Sequence, residues 1–543
     1  MSSGVFHAPP PVNEPVLSYA PGAPERERLK AAVAAMRGER ADIPLWIGGE
    51  AVRTGRVGKL ACPHDHAADL GVFHQGGADE VNAAIAAAEA ARPAWAALRW
   101  EERAAVLLRA AALLQTEFRD RLNAATMLGQ SKTCHQAEID AACELIDFFH
   151  FNVHYYERAL GEQPISPSGV WNRVDFRPLD GFVFAVTPFN FTSIAGNLPT
   201  APALCGNTVV WKPASTSLLS GGVIMDLLRA AGMPPGVINM VAGSGAQIGD
   251  PVLAHPKLAG IHFTGSTPVF KAMWRTIGQN IDRYLAYPRL VGETGGKDFV
   301  FAHRSADVDS LGQNLLRGAF EYQGQKCSAA SRAYIPDTLW PAVRERLADG
   351  IASMKIGDVA DFHNFMGAVI DGPSYRKLSG AIGEAEGKIG GPIVEVLGGR
   401  RDDSQGWFIH PTAIVTNDPG YRTMREELFG PVLTIYVYPA GRYEEALDLC
   451  EGGTEYALTG AIFAEDRAAI RTAAERLRFA AGNFYINDKP TGAVVGQQPF
   501  GGSRASGTND KAGSILNLHR WMSPRTIKET FVPLRDYRYP FLG

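Results

Sequence analysis

Residues 181–211, GFVFAVTPFNFTSIAGNLPTAPALCGNTVVW, carry no charged side chain, and this run restricts the fold more than any other segment. Its length would allow a membrane span, since about 20 apolar residues cross a bilayer. Pro188, Asn190, Asn197, Pro199, Pro202 and Asn207 break it repeatedly, so it reads instead as buried strand, turn, helix and strand. The chain then repeats that rhythm. FVFAVTP, TVVWKP, INMVAG, GIHFTG and FVFAH are short apolar runs ending in turn residues, with helical stretches such as 217–231 and 267–281 between them. Buried strands alternating with helices predict a parallel α/β sheet. A second set follows Cys327 (RAYIP, PTAIVTN, PVLTIYVYP, TGAIFA, NFYIN) and predicts a second α/β domain over roughly 292–488. Upstream, 79–91, 100–128 and 135–160 have the spacing of long amphipathic helices, and 161–180 is Pro/Gly-rich with a hairpin-like WNRVDFRP.

With 543 residues, the chain exceeds a single core and needs at least two domains. A net charge of −4 leaves no basic excess for nucleic acid or an anionic membrane. Six cysteines in this length are no disulfide scaffold and predict a reducing compartment, the cytoplasm. The first residues lack an apolar core behind basic residues, and a secretory or Arg-rich transit peptide is not expected.

Several short segments could carry chemistry. Cys327 lies in GQKCSAAS between a predicted helix and strand, where its sulfur either packs or projects into a cavity as a nucleophile. Lys326 beside it would add positive potential and favour the thiolate. Glu293 in VGETGGKD is either a solvated turn residue or a general base. Asn190 in TPFNF is either a cap or a donor to a developing oxyanion. Gly265 and Ser266 of FTGSTPVF end a strand and open a helix, whose N-terminus suits phosphate. VAGSGAQIG is one residue off the dinucleotide fingerprint and reads as a strand–helix turn. No metal site is expected. Cys62, His64 and His66 cluster in a loop, and His150 and His154 have the i, i+4 spacing, but Phe151 stands where a zincin has glutamate.

TPFN, WKPAS, FTGST, ETGGK, GQKC, EELFGP and PFGG occur in the order and spacing of the aldehyde dehydrogenase superfamily, which the chain resembles over roughly 40–515. Finer features resemble its Δ1-pyrroline-5-carboxylate dehydrogenase branch: NEPVLSYAPGAPER, GQSKTCHQAEIDAACELIDFFHFN and TGAVVGQQPFGGSRASGTNDKAG. The resemblance implies an α/β aldehyde dehydrogenase fold. A Rossmann-like NAD-binding domain would cover 1–162 and 181–291, and a catalytic domain 292–488. A return segment with a substrate-anchor loop would cover 489–516. An oligomerisation flap and tail would cover 163–180 and 517–543, so a homodimer or higher homo-oligomer is expected.

The same resemblance implies oxidation of L-glutamate γ-semialdehyde to L-glutamate in proline catabolism, or of another ω-semialdehyde. A non-catalytic structural protein on this fold would not need Cys327, Glu293 and Asn190 together. By resemblance Cys327 is the nucleophile, Asn190 holds the oxyanion and Glu293 activates water. Lys212, Ser215, Gly265, Ser266, Glu427 and Phe429 would contact the cofactor. Ser215 replaces the glutamate of strongly NAD-selective members, which leaves NADP open beside NAD. Ser328, Gly492 and Ala493 would hold the substrate carboxylate, Phe191 and Phe500 its aliphatic middle, and Glu144 its amino end.

Overall fold

The charge-free run folds as strand Phe182–Val186, helix Thr192–Leu204 and strand Val209–Lys212, nearly all of it buried. No helix among the described residues is long and apolar enough to cross a membrane. The computed structural model describes Gly4 and residues 6–543.

Two seven-stranded sheets organise the chain. The first runs Arg289–Glu293, Leu258–Thr264, Phe182–Val186, Val209–Lys212, Ile238–Met240, Leu45–Ile47 and Glu50–Val52. Its first five strands are parallel; the last two join antiparallel. The second runs Ile393–Gly398, Thr412–Thr416, Val432–Tyr438, Ala330–Pro336, Asp298–Ala302, Thr459–Phe463 and Asn483–Ile486, with only Ile393–Gly398 antiparallel. The second sheet is covered on both faces. Phe299 and Phe301 enter one core, and the alternate residues Val300 and Ala302 enter the other.

The structure departs from the sequence reading in four places. FVFAH is named above with the first run of strands, although the expected domain 292–488 includes it, and it lies in the middle of the second sheet. The predicted helix 100–128 is two helices, Trp100–Gln115 and Arg119–Gln130. The segment 135–160 contains a π-helical stretch, Glu138–Glu144, between Cys134–Ala137 and Leu145–Leu160. WNRVDFRP is no local hairpin: Val170–Arg177 pairs antiparallel with Ser523–Thr530.

The crossing between the sheets positions the site. The chain leaves the first sheet at Glu293 and enters the second at Asp298. A Cβ on Gly296 would lie 2.3 Å from the carbonyl oxygen of Cys327, so this turn and the cysteine loop are in direct contact.

Candidate active site

Cys327 follows an unusual turn. Tyr322, Gln323 and Gly324 all have positive φ (50°, 54° and 62°). Such conformations are costly for residues other than glycine and persist only when neighbours enforce them. Here Gln323 Nε2 donates to the carbonyls of Ser131 (2.9 Å) and Ala368 (2.7 Å), and its Oε1 accepts from Gly367 N (3.0 Å). A Cβ on Gly324 would meet the Gly430 carbonyl at 2.3 Å, so glycine is required there. The turn delivers Cys327, half-buried, to a cavity of about 440 Å³ that Glu293 also lines. Cys62, Cys143, Cys205 and Cys450 are buried.

Burial raises the Cys327 thiol well above its ordinary value, and the carboxyls of Asp298, Glu293 and Glu427 add to the rise. The expectation that Lys326 favours the thiolate fails for a local reason. Its ammonium turns to Glu321 (3.1 Å), which Arg317 also holds (2.7 Å).

Asn190 is buried and its Nδ2 donates to the carbonyl of Gln325 (3.0 Å), two residues before Cys327. An amide nitrogen carries two hydrogens, so one stays available to an oxygen near Cys327. Glu293 ends its strand with Oε2 buried and unpartnered. Burial pushes its carboxyl well above the usual range, while a hydrogen bond from Gly502 N and the Lys511 ammonium oppose the shift.

Phe191, Phe500, Ser328, Gly492, Ala493 and Glu144 all line the cavity. Ser328 Oγ lies 2.8 Å from Thr491 Oγ1. The N–H groups of Gly492 and Ala493 have no hydrogen-bond partner among the described residues. Sequence reasoning missed the support behind this wall. Buried Lys132 reaches Asp140 (2.6 Å) and lies over the ring of Phe191 (4.2 Å). Asp140 accepts from Lys132, Thr192 N, Ser193 N and Ser193 Oγ, so it caps the helix that follows Asn190 and Phe191. The signal was a lone lysine in GQSK eight residues before an aspartate, which spacing alone does not pair.

Ser193 Oγ also lies 2.9 Å from Glu144 Oε2. One hydroxyl hydrogen cannot serve both carboxyls. If Glu144 is protonated it donates to Ser193, which donates to Asp140, and every group is satisfied. Burial, then Asp140, raises the Glu144 carboxyl from 4.5 to about 8. A raised carboxyl holds its proton more tightly when folded. Its contribution to stability is therefore complete below pH 4.5 and lost as pH rises through about 8. Glu144→Gln keeps the shape and a donor without the charge. The variant should lie within about 1 kcal/mol of the parent in unfolding free energy at pH 5 and exceed it by about 3 to 4 kcal/mol at pH 8. A difference that does not change between those pH values would remove the protonated-carboxyl assignment.

The residues expected at the cofactor lie elsewhere. Lys212 ends its strand, and among the described residues its ammonium makes one hydrogen bond, to the Pro213 carbonyl (3.4 Å), and has no carboxylate partner. Ser215 is exposed at the next turn. Ser266 is the exposed N-cap of helix Thr267–Gln279, yet its side chain does not cap. Gly265 precedes it, and a Cβ there would strike Phe263 at 2.8 Å. Glu427 Oε1 accepts from Gly296 N (2.9 Å), and Phe429 meets Phe189 edge-on at 5.8 Å between ring centroids. An unpaired cation, an uncapped helix N-terminus at the ends of parallel strands, and a carboxyl on the turn touching Cys327 fit a dinucleotide. VAGSGAQIG forms the strand–helix turn read from its sequence, with Ser244 capping Gly245–Ala254. A larger recess of about 700 Å³ runs along helix Thr267–Gln279, but Cys327, Glu293 and Asn190 do not line it.

Known proteins are similar to this chain in sequence and in fold. The aldehyde dehydrogenase family profile matches residues 52–527. Delta-1-pyrroline-5-carboxylate dehydrogenase, mitochondrial, of Dictyostelium discoideum is 52% identical over 537 residues, 98% of this chain and 96% of that protein. The Homo sapiens protein of that name is 47% identical over 532 residues, 98% of this chain and 94% of its own. The crystal structure of Delta-pyrroline-5-carboxylate dehydrogenase from Mycobacterium tuberculosis bound with NAD is similar at a TM-score of 0.96 and 54% identity, with both chains covered in full. Profile, relatives and fold agree over nearly the whole length, and the chain belongs to the aldehyde dehydrogenase family.

Proposed function

We propose that the protein oxidises L-glutamate γ-semialdehyde, the open form of Δ1-pyrroline-5-carboxylate, to L-glutamate with NAD, in proline catabolism. The names and coverage of the relatives support the substrate. The observation that carries it within the chain is the pair of free N–H groups at Gly492 and Ala493, beside the Ser328–Thr491 hydroxyl pair, in the cavity that holds Cys327. Unpaired donors in a cavity suit an anionic group.

In this reading the Cys327 thiol gives up its proton to solvent water, and the thiolate adds to the aldehyde carbon. The free hydrogen of Asn190 Nδ2 and the Cys327 N–H hold the resulting oxyanion. NAD, when held there, would supply the hydride acceptor that the oxidation to a thioester requires. Glu293 takes a proton from the water that hydrolyses it, and its unpartnered Oε2 is free for that proton. Lys212 and Glu427 hold the two riboses, Ser266 and the helix behind it the pyrophosphate, and Phe429 packs nearby. With Ser215 in place of a carboxylate, that side chain does not repel a 2′-phosphate, which leaves NADP open beside NAD. Phe191 and Phe500 flank the aliphatic chain, and Glu144 faces the amino end, where an ammonium would draw off its proton.

The two sheets support assigning 1–162 and 181–291 to cofactor binding, 292–488 to catalysis and 489–516 to the return segment and anchor. An isolated two-stranded ribbon is marginal in water. Val170–Arg177 with Ser523–Thr530 is such a ribbon, and exposed Trp171, Phe531 and Val532 lie on or beside it. Segments 163–180 and 517–543 thus belong to a homodimer contact. Six unpaired cysteines suit a reducing compartment; mitochondrial names among the relatives leave the cytoplasm as one such place.

A panel of aldehydes tests the substrate. Propanal leaves the anchor donors unpaired, and kcat/KM should fall about 1,000-fold from glutamate γ-semialdehyde. Glutarate semialdehyde should rank second and succinic semialdehyde, one carbon short, third. Ser328→Ala should lower the acidic aldehydes and leave propanal unmoved. Equal kcat/KM for propanal and glutamate γ-semialdehyde would overturn the reading.

A further inference from the structure

The opening segment NEPVLSYAPGAPER takes no part in the chemistry above, yet it crosses the substrate cavity, which Asn13, Glu14 and Val16 line. Asn13 Nδ2 donates to Asp147 Oδ2 and to the Val495 carbonyl, both at 2.8 Å. Its Oδ1 accepts from Gln497 Nε2 at 2.9 Å. One amide side chain therefore ties helix Leu145–Leu160, through Asp147, to the loop that carries Gly492 and Ala493.

The segment is itself fixed on both sides of that contact. Glu14 N donates to Asp147 Oδ1 (2.7 Å), Leu17 N to Glu138 Oε1 (3.0 Å) and Tyr19 OH to Glu138 Oε2 (2.8 Å). Arg119 pairs with Glu14 at 2.6 Å and also with Glu138.

The loop, by contrast, has few other hydrogen bonds to orient it, although Val495 is buried and Gly496 lies against Phe151. Residues 491–498 contain no helix or strand, and Gly492 and Gly496 take φ of 92° and 83°. Inside it, Val494 O accepts from Gln497 N and Gln498 N, both at 3.0 Å, and Val494 N donates to Gln498 Oε1 at 2.9 Å. These bonds close a turn but do not orient it. Among the described residues, every hydrogen bond that leaves 491–498 goes to Ser328, from Thr491, or to Asn13, from Val495 and Gln497.

We propose that Asn13 is a positioning residue for the substrate: it fixes the far side of the 491–498 loop so that the N–H groups of Gly492 and Ala493 stay presented to a carboxylate. The inference rests on the anchor reading of that loop. Pre-placed donors bind an anion without first ordering the loop, so loosening the tie raises KM for acidic aldehydes and spares the steps at Cys327.

Two variants test it in the full-length protein. Asn13→Asp keeps the acceptor for Gln497 but replaces both donors with a carboxylate facing Asp147. Gln497→Ala removes one tie from the loop side. Hydrogen–deuterium exchange at the Gln497 and Gln498 amides should speed up about 10-fold in the first variant and less in the second. KM for glutamate γ-semialdehyde should rise about 10-fold in Asn13→Asp, with kcat and the KM for propanal each within about twofold of the parent. A general loss of structure would instead move both substrates together and lower Tm. Unchanged exchange at Gln497 and Gln498 in both variants, or an equal rise in KM for both aldehydes, overturns the proposal. Failure of the anchor reading shows separately, as equal kcat/KM for the two aldehydes in the wild type, whereas the exchange result reads the tie without any substrate.

Discussion

Cys327→Ala should lower aldehyde-dependent NADH formation by about 10,000-fold or more while NAD still binds. The expectation follows from where sulfur is found in this chain. Four of the six cysteines are buried, so they offer no accessible substitute, and Cys134 does not line the cavity that holds Glu293. Without a sulfur no covalent adduct forms, and the aldehyde hydrogen has no electron-rich centre to leave from. Lys212, Ser266 and Glu427, the residues proposed to hold the cofactor, lie on other segments, and the substitution does not touch them. Stopped assays for NADH and equilibrium titration with NAD measure the two halves. Turnover above a trace in the variant, or loss of wild-type activity that tracks alkylation of Cys134, would move the nucleophile elsewhere.

What the sequence showed and what it hid divide along physical lines. Strands buried on both faces are apolar throughout, so FVFAV, TVVW and GIHFT could be picked out without knowing their partners. Which sheet a strand joins depends on contacts far along the chain, and FVFAH was grouped by its neighbours in sequence. The break between Gln115 and Arg119 leaves the apolar spacing of 100–128 intact, so no signal marked it. The ribbon was harder still, since Arg177 faces Ser523, which is 346 residues away. At the site, residue types at motif spacing nominated Cys327, Glu293 and Asn190, but their electrostatics were not legible. Lys326 adjoins the thiol in sequence, yet its ammonium is held by Glu321, five residues upstream. The tie from Asn13 to Val495 spans 482 residues and leaves no trace in local pattern.

Glu293→Gln should separate the two halves of the reaction, giving one NADH per site and then stalling, with steady turnover down about 1,000-fold. Glutamine keeps the length of the side chain and can still accept from Gly502 N, so the strand end and the turn to Asp298 stay in place. It cannot take a proton. In the proposed mechanism sulfur addition and loss of hydride do not ask it to; hydrolysis of the thioester does. Burial makes the ionised carboxylate of Glu293 a stronger base than a solvated one, and it also means that the carboxyl must first lose its proton. Steady-state turnover of the parent should therefore rise with pH where hydrolysis limits the rate, whereas the first-turnover burst of the variant should lack that component. Hydroxylamine, which attacks a thioester without a base, should restore repeated turnover to the variant. Steady turnover near the parent rate would show that another group activates water. A variant with no burst at all, despite bound NAD, would show that Glu293 acts before the thioester forms.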